Sequence, residues 1–100
     1  MPDTPRRPAV RILTPAHPIQ ATSAATTDIA GDAADQSGIA AVNWTVNSGT
    51  KQEASGAATG TTQWAAAGIP LRVGTNRVIV TATSTAGAEN QDAVDIVRTS

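Results

Sequence analysis

The chain alternates short runs of β-forming residues with turn signals, and no stretch keeps the 3.6-residue periodicity of an amphipathic helix. Each run has one apolar face and one polar face, which is typical of antiparallel sheets that expose one face to water. Two such sheets bury their apolar faces by stacking, so the pattern predicts an all-β, antiparallel β-sandwich of the immunoglobulin-like kind, with about seven strands and Greek-key connections. The expected strands are residues 9–14, 26–33, 39–47, 51–57, 61–67, 76–84 and 92–99.

The core of this sandwich has few large side chains. Apolar residues make up 40% of the chain, half of them alanine, and the only aromatic residues are two tryptophans. Strand alternation turns one set of apolar residues inward, and we expect the structural core to contain Ile29, Val42, Trp44, Trp64, Val78 and Val80. With an inward indole, Trp44→Ala is expected to cost roughly 3 to 5 kcal/mol of stability.

Three aspartates precede the third expected strand and raise the question of a metal site. Calcium requires six to eight oxygen ligands, whereas Asp28, Asp32 and Asp35 are four and three residues apart and lack the distal glutamate of an EF-hand loop. Asp32 and Asp35 are the candidate ligands for a site at a loop end. The alternative is a solvated strand face carrying Asp28 and Asp32, followed by a type I turn over residues 35–38 that Asp35 caps.

Two longer patterns resemble a known family. The segments IAGDAADQSGIAAVNWTV and IPLRVGTNRVIVTAT are similar to bacterial immunoglobulin-like modules, including the glucodextranase domain B-like type, that accompany secreted glycosidases and surface proteins. The resemblance covers residues 9–99. It implies a module that spaces, stabilises or presents other domains. The last hairpin, with Ser84 and Gly87-Ala88, departs from the acidic residue and Gly-Asn pair usual in the family.

Catalysis has little support in the residues. The chain has no cysteine and one histidine, His17, which lies between prolines, and it lacks GxSxG, Walker and HExxH motifs. We therefore expect a protein that is not an enzyme and holds no cofactor. The net charge of −1 and the shortage of aromatic residues argue against nucleic-acid binding, and no segment has the ~20 apolar residues of a membrane span.

Two binding functions stay open. Polysaccharide binding on a sandwich commonly uses exposed aromatic rings, so it requires Trp64 or Trp44 at the surface. Protein binding is the other possibility, because Ile79 and Val97 are expected on the outer face and form a small apolar patch. An intramolecular isopeptide bond requires a buried lysine, and the only lysine, Lys51, is expected beside a turn in an edge strand.

The domain organisation suggests a spacer. Residues 1–8 form a proline-rich linker and residues 9–99 the sandwich, whose odd number of strands leaves the two chain ends at opposite poles. We expect a non-catalytic structural, spacer or adhesion module of a larger bacterial surface, secreted or virion protein. It is expected to be extracellular or at the cell surface, without a signal peptide in this chain. The expected partners are neighbouring domains or another surface protein, and the module itself is expected to be a monomer.

Overall fold

Two β-sheets pack face to face in the computed structural model, which describes residues 8–14 and 19–99. The described strands are β1 (Ala9–Thr14), β2 (Ile19–Thr22), β3 (Thr26–Ala34), β4 (Ile39–Val46), β5 (Ala54–Ala57), β6 (Thr59–Gly60), β7 (Gln63–Pro70), β8 (Gly74–Ser84) and β9 (Glu89–Arg98). One sheet has the order β1-β3-β7-β6 and the other β2-β9-β8-β4-β5. The predicted all-β sandwich is confirmed. No helix that could span a membrane occurs among these residues.

The core lies between the central strands of the two sheets. β8 pairs with β4 on one side and β9 on the other, so its inward residues Val78, Val80 and Ala82 are completely buried. The facing sheet contributes Ile29 from β3 and Ile69 from β7. Burying the valine and isoleucine side chains of this set is worth about 1.5 to 3 kcal/mol each, which makes them the main apolar contribution to stability.

Gly31 makes room for the buried indole of Trp64 against β3. It pairs with Trp64 across β3 and β7, and a Cβ at this position would collide with the carbonyl oxygen of Arg11 and lie 2.6 Å from Cζ2 of Trp64. Only glycine leaves room for the ring at this position.

The strand count and pairing differ from the sequence-based expectation. β2 and β6 were not predicted, because a four-residue and a two-residue strand are too short to show an alternating pattern. β2 pairs with β9 in parallel, with Ala21 opposite Val97, so the second sheet is mixed and its one parallel pair was not predicted. The remaining pairs are antiparallel.

The boundaries of two strands also differ from the expected ones. The expected strand over residues 51–57 begins at Ala54, because Lys51 and Glu53 belong to a turn in which the Glu53 carboxylate accepts a hydrogen bond from Gly49 N at 2.9 Å. β7 continues three residues beyond the expected end at residue 67 and finishes at Pro70, which pairs with Thr26. A proline is tolerated there because it is the last residue of the strand.

The final hairpin is tighter than expected. β9 begins at Glu89 instead of residue 92, directly opposite Thr83. Ser84 N donates to Ala88 O at 2.8 Å, and Ala88 N donates to the Ser84 hydroxyl at 3.1 Å. A buried serine thus closes this hairpin.

The chain enters and leaves the sandwich at opposite poles. Pro8 is buried, and its carbonyl accepts a hydrogen bond of 3.0 Å from Asn90 Nδ2 near the β8–β9 turn, which we call the N-terminal pole. At the other end, the C-terminal pole, Thr99 N donates to Thr22 O at 2.7 Å. The 11 residues of β8 separate the two poles by about 35 Å. Of the expected linker, residues 1–7 lie outside the described residues, and Pro8 packs as part of the domain.

Candidate functional site

Asp32, one of the two candidate metal ligands, is bound to an arginine. Its carboxylate accepts two hydrogen bonds from the Arg11 guanidinium, at 2.7 and 3.1 Å, across the outer face of β1 and β3. The hydrogen bonds from Arg11 lower the pKa of the Asp32 carboxyl, and those to Asp32 raise the pKa of Arg11. A cation binding to Asp32 would have to displace the guanidinium.

Asp35, the other candidate, caps its own turn. One carboxylate oxygen accepts from Ser37 N at 2.9 Å and from the Ser37 hydroxyl at 2.6 Å, while Gly38 N donates to Asp35 O at 3.0 Å. Asp28 is used separately, because it accepts from Gly68 N at 2.9 Å. Within residues 8–14 and 19–99, no group of three acidic or histidine side chains converges as a metal site. His17 lies outside the described residues.

Trp64 is part of the core, and only a small part of it borders the groove on the outer face of β1, β3 and β7. Its side chain is 2% exposed, and Nε1 donates to Asp32 O at 3.0 Å. The apolar surface of the ring is therefore buried, and its N–H has a hydrogen-bond acceptor inside the protein. A sugar site built on Trp64 would require the β3–β7 pairing to open.

Trp44 is less deeply buried than the sequence analysis predicted. It faces the core, opposite Val80, but it is half-buried and packs against the core from the side, whereas a fully inward ring was expected. Its neighbour Gly56 is on the edge strand β5, so one glycine separates the ring from the open edge of the sheet. Among the described residues no oxygen accepts a hydrogen bond from Trp44 Nε1.

A buried pair of asparagines organises the C-terminal pole and was missed at the level of sequence. Asn47 Nδ2 donates to Asn76 Oδ1 at 2.8 Å, and the same oxygen accepts from Arg72 N at 2.8 Å. Asn76 Nδ2 lies within 3.0 Å of the carbonyl oxygens of Gly74 and Ile96. The available signal was that Asn76 has the same inward parity as Val78 and Val80, so that a polar residue occupies a core position.

The described surface has shallow grooves. A groove of about 420 Å³ crosses the outer face of β1, β3 and β7, next to the exposed Leu13, and a second of about 400 Å³ lies at the C-terminal pole between Arg72 and Asp95. Asp95 is paired with Arg77 at 3.1 Å. Neither groove contains a nucleophile next to a base, and the expected apolar patch is weak because Ile79 and Val97 are half-buried.

Comparisons with known proteins bear on the fold alone. No protein-family model matches the chain, and no curated protein matches it. Among solved structures, the chain is similar to the crystal structure of an engineered protein from the Northeast Structural Genomics Consortium, with a TM-score of 0.65 and 25% sequence identity. The match covers 97% of this chain and 21% of that chain. The sandwich therefore occurs elsewhere as a fifth of a longer polypeptide.

Proposed function

We propose that the protein is a non-catalytic, immunoglobulin-like module that spaces and positions neighbouring domains of a longer bacterial surface, secreted or virion protein. The observation that carries the proposal is the placement of Pro8 and Thr99 at opposite poles, about 35 Å apart along β8. A module with this geometry adds its full length to a chain of domains.

The anchoring of both ends supports a stiff spacer. Asn90 binds the carbonyl of Pro8 at the N-terminal pole, and Thr99 binds Thr22 at the C-terminal pole. Arg98 adds a hydrogen bond of 2.9 Å to Leu71 O. These bonds reduce fraying where neighbouring domains would be attached, so the orientation set at one pole is transmitted to the other.

The strand order supports the immunoglobulin-like part of the proposal. Immunoglobulin sandwiches place strands A, B, E and D in one sheet and C, F and G in the other. The order β1-β3-β7-β6 corresponds to A-B-E-D, while β4, β8 and β9 correspond to C, F and G, and β5 to the additional strand C′. Similarity to a fifth of a longer engineered chain agrees with modular use.

The test is replacement of the module within its parent polypeptide. A spacer role predicts that an unrelated sandwich of similar length, with its ends at opposite poles, restores the function of the neighbouring domains after deletion of this module. A control sandwich with both ends at one pole should fail. Rescue by both replacements, or by neither, would overturn the spacer proposal.

Polysaccharide binding is a second candidate, favoured by the half-buried Trp44, whose Nε1 donates to no acceptor among the described residues. An exposed indole edge offers both apolar contact and a hydrogen-bond donor to a sugar. Titration of tryptophan fluorescence with polysaccharides tests this candidate. Saturable quenching that Trp44→Phe weakens would support it, and no change in emission would count against it.

A further inference from the structure

β5 leaves a row of backbone groups free at the outer edge of its sheet. It pairs with β4, and no described strand pairs with its other side. Ala58 N donates to Val42 O of β4 at 2.8 Å, and in an antiparallel pair every second residue points its backbone N–H and C=O at the partner strand. Gly56 and Ala54 therefore also point these groups at β4. The N–H and C=O groups of Ser55 and Ala57 therefore point away from the sheet.

This edge lacks the devices that normally prevent pairing. β5 reads Ala-Ser-Gly-Ala, with no charge and no proline, because Lys51 and Glu53 lie in the preceding turn. By contrast, the β1 edge is covered, since Ile12 N donates to the Asp92 carboxylate at 2.8 Å. The four-residue length of β5 is its main protection.

The free groups of β5 are complementary to themselves. If two copies meet antiparallel with Gly56 on the two-fold axis, Ser55 of one copy lies opposite Ala57 of the other. Both residues then exchange their N–H and C=O groups, because they form hydrogen-bonded pairs of an antiparallel ladder. Gly56 meets Gly56 as a non-hydrogen-bonded pair, in which Cα atoms approach to about 4.5 Å. This close approach suits a residue without a side chain.

Trp44 lies directly beneath this axis. A Cβ built on Gly56 would lie 2.9 Å from Cζ2 and 3.0 Å from Nε1 of Trp44, so the indole rests against the glycine on the inner face. The residues on either side of Gly56 on this inner face, Ala54 and Ala58, are small. Two copies would thus bring their half-buried indoles together under the paired glycines and cover the exposed part of each ring.

We propose that the protein pairs edge to edge with a second copy of itself through β5, joining two five-stranded sheets into one continuous sheet. The edge is short, so the interface falls in the small, transient class, below about 1,200 Å². At low concentration we expect the protein to be a monomer. Pairing becomes populated where copies are held together at effective concentrations of about a millimolar. It links neighbouring spacers side by side.

Disulfide trapping tests the pairing and its register, since the chain has no cysteine of its own. Ser55→Cys and Ala57→Cys proteins are mixed in a glutathione redox buffer, and the dimers are identified by intact mass. The two positions face each other at a Cα separation of about 5.5 Å, which a disulfide can bridge. The mixed dimer should make up clearly more than the half of all dimers that random pairing gives. Statistical proportions of the three dimers, or no dimer, would overturn the proposal.

A proline variant provides an independent test without cysteine. Ala57→Pro removes an N–H that points away from β4, so the fold should melt as the wild type does while association is lost. Ala57→Val is the matched control, because it keeps the N–H. Sedimentation equilibrium at about millimolar concentration should show dimers for the wild type and Ala57→Val and monomers for Ala57→Pro. Equal association of both variants would contradict edge pairing.

Discussion

At the scale of single residues, the two tryptophans make unequal contributions to stability. Trp64→Ala is expected to cost about 3 to 5 kcal/mol, because it empties a buried site and also leaves Asp32 O without its donor. Trp44→Ala should cost clearly less, since its ring is half-buried. Urea unfolding of the two variants measures the difference. A larger loss for Trp44→Ala would mean that its ring is the more deeply packed of the two.

Asn76 is the polar residue on which the C-terminal pole depends. Asn76→Ala removes the acceptor of Asn47 Nδ2 and of Arg72 N, and we expect a loss of about 3 kcal/mol because several buried polar groups lose partners together. Asn43→Ala, at an exposed position of β4, is the matched control and should change stability little. Chemical denaturation compares them. Equal midpoints for both variants would refute the role of the asparagine pair.

The ion pair of Asp32 and Arg11 gives stability a dependence on acid pH. Because Arg11 lowers the pKa of the folded Asp32, the pair stabilises the fold above the ordinary value of about 3.9 and ceases to do so as pH falls through the lowered pKa. Asp32→Asn should therefore melt slightly below the wild type at neutral pH and converge with it in acid. Both groups are exposed to solvent, so the difference is small. A difference in melting temperature between the two proteins that stays the same from pH 7 to pH 2 would contradict this.

At the scale of elements, the β2–β9 pair carries tension applied through the chain ends. The chain leaves the sandwich from β9 at the C-terminal pole. Pulling on both chain ends therefore slides β9 along β2, and the hydrogen bonds between the two strands are loaded together instead of one after another. Thr22 O accepts from Thr99 N, so the N–H of Thr22 also points at β9. Thr22→Pro should lower the unfolding force in single-molecule pulling.

A second edge-strand proline serves as the control for this pulling experiment. Ser55→Pro changes β5, which lies outside the path between the chain ends, and its N–H points away from β4. The force should therefore equal that of the wild type. A decrease of the same size in both variants would show that general destabilisation, and not the β2–β9 ladder, sets the force.

At the scale of the whole molecule, charge is divided along the long axis. Among residues 8–14 and 19–99, the half nearer the N-terminal pole has one arginine against four acidic residues, Arg11 with Asp32, Asp35, Glu89 and Asp92. The other half has four basic residues against three acidic ones, Lys51, Arg72, Arg77 and Arg98 with Asp28, Glu53 and Asp95. Copies joined in series thus place a net positive pole against a net negative one.

Two copies fused in series should accordingly be more compact at low salt than at high salt. The attraction between adjoining poles is screened once the Debye length falls from about 30 Å at 0.01 M to about 3 Å at 1 M. Small-angle scattering should show the radius of gyration rising with ionic strength. In a fusion carrying Arg72→Glu and Arg77→Glu the rise should disappear, and its persistence there would refute the electrostatic explanation.

Much of the fold was accessible from local patterns. The alternation of Val78, Val80 and Ala82 predicted the central strand, and the Asp35-to-Gly38 turn predicted the cap on the Asp35 carboxylate that the structure contains. These features depend on neighbours within a few residues, which the sequence displays directly. Asn76 was overlooked because its partners are Asn47 and Ile96, and nothing in the sequence identifies which buried groups a polar side chain will meet.

The order of residues by itself determined that this protein forms sheets with one wet and one dry face, because the two-residue period of a strand is a local property of the backbone. Tertiary structure alone decided that β2 lies parallel to β9, that Arg11 meets Asp32, and that Gly56 leaves Trp44 half-covered at an unguarded edge. Those outcomes depend on how two sheets align and where each one ends. Alignment is settled by the packing of residues far apart in the chain, which no local pattern encodes.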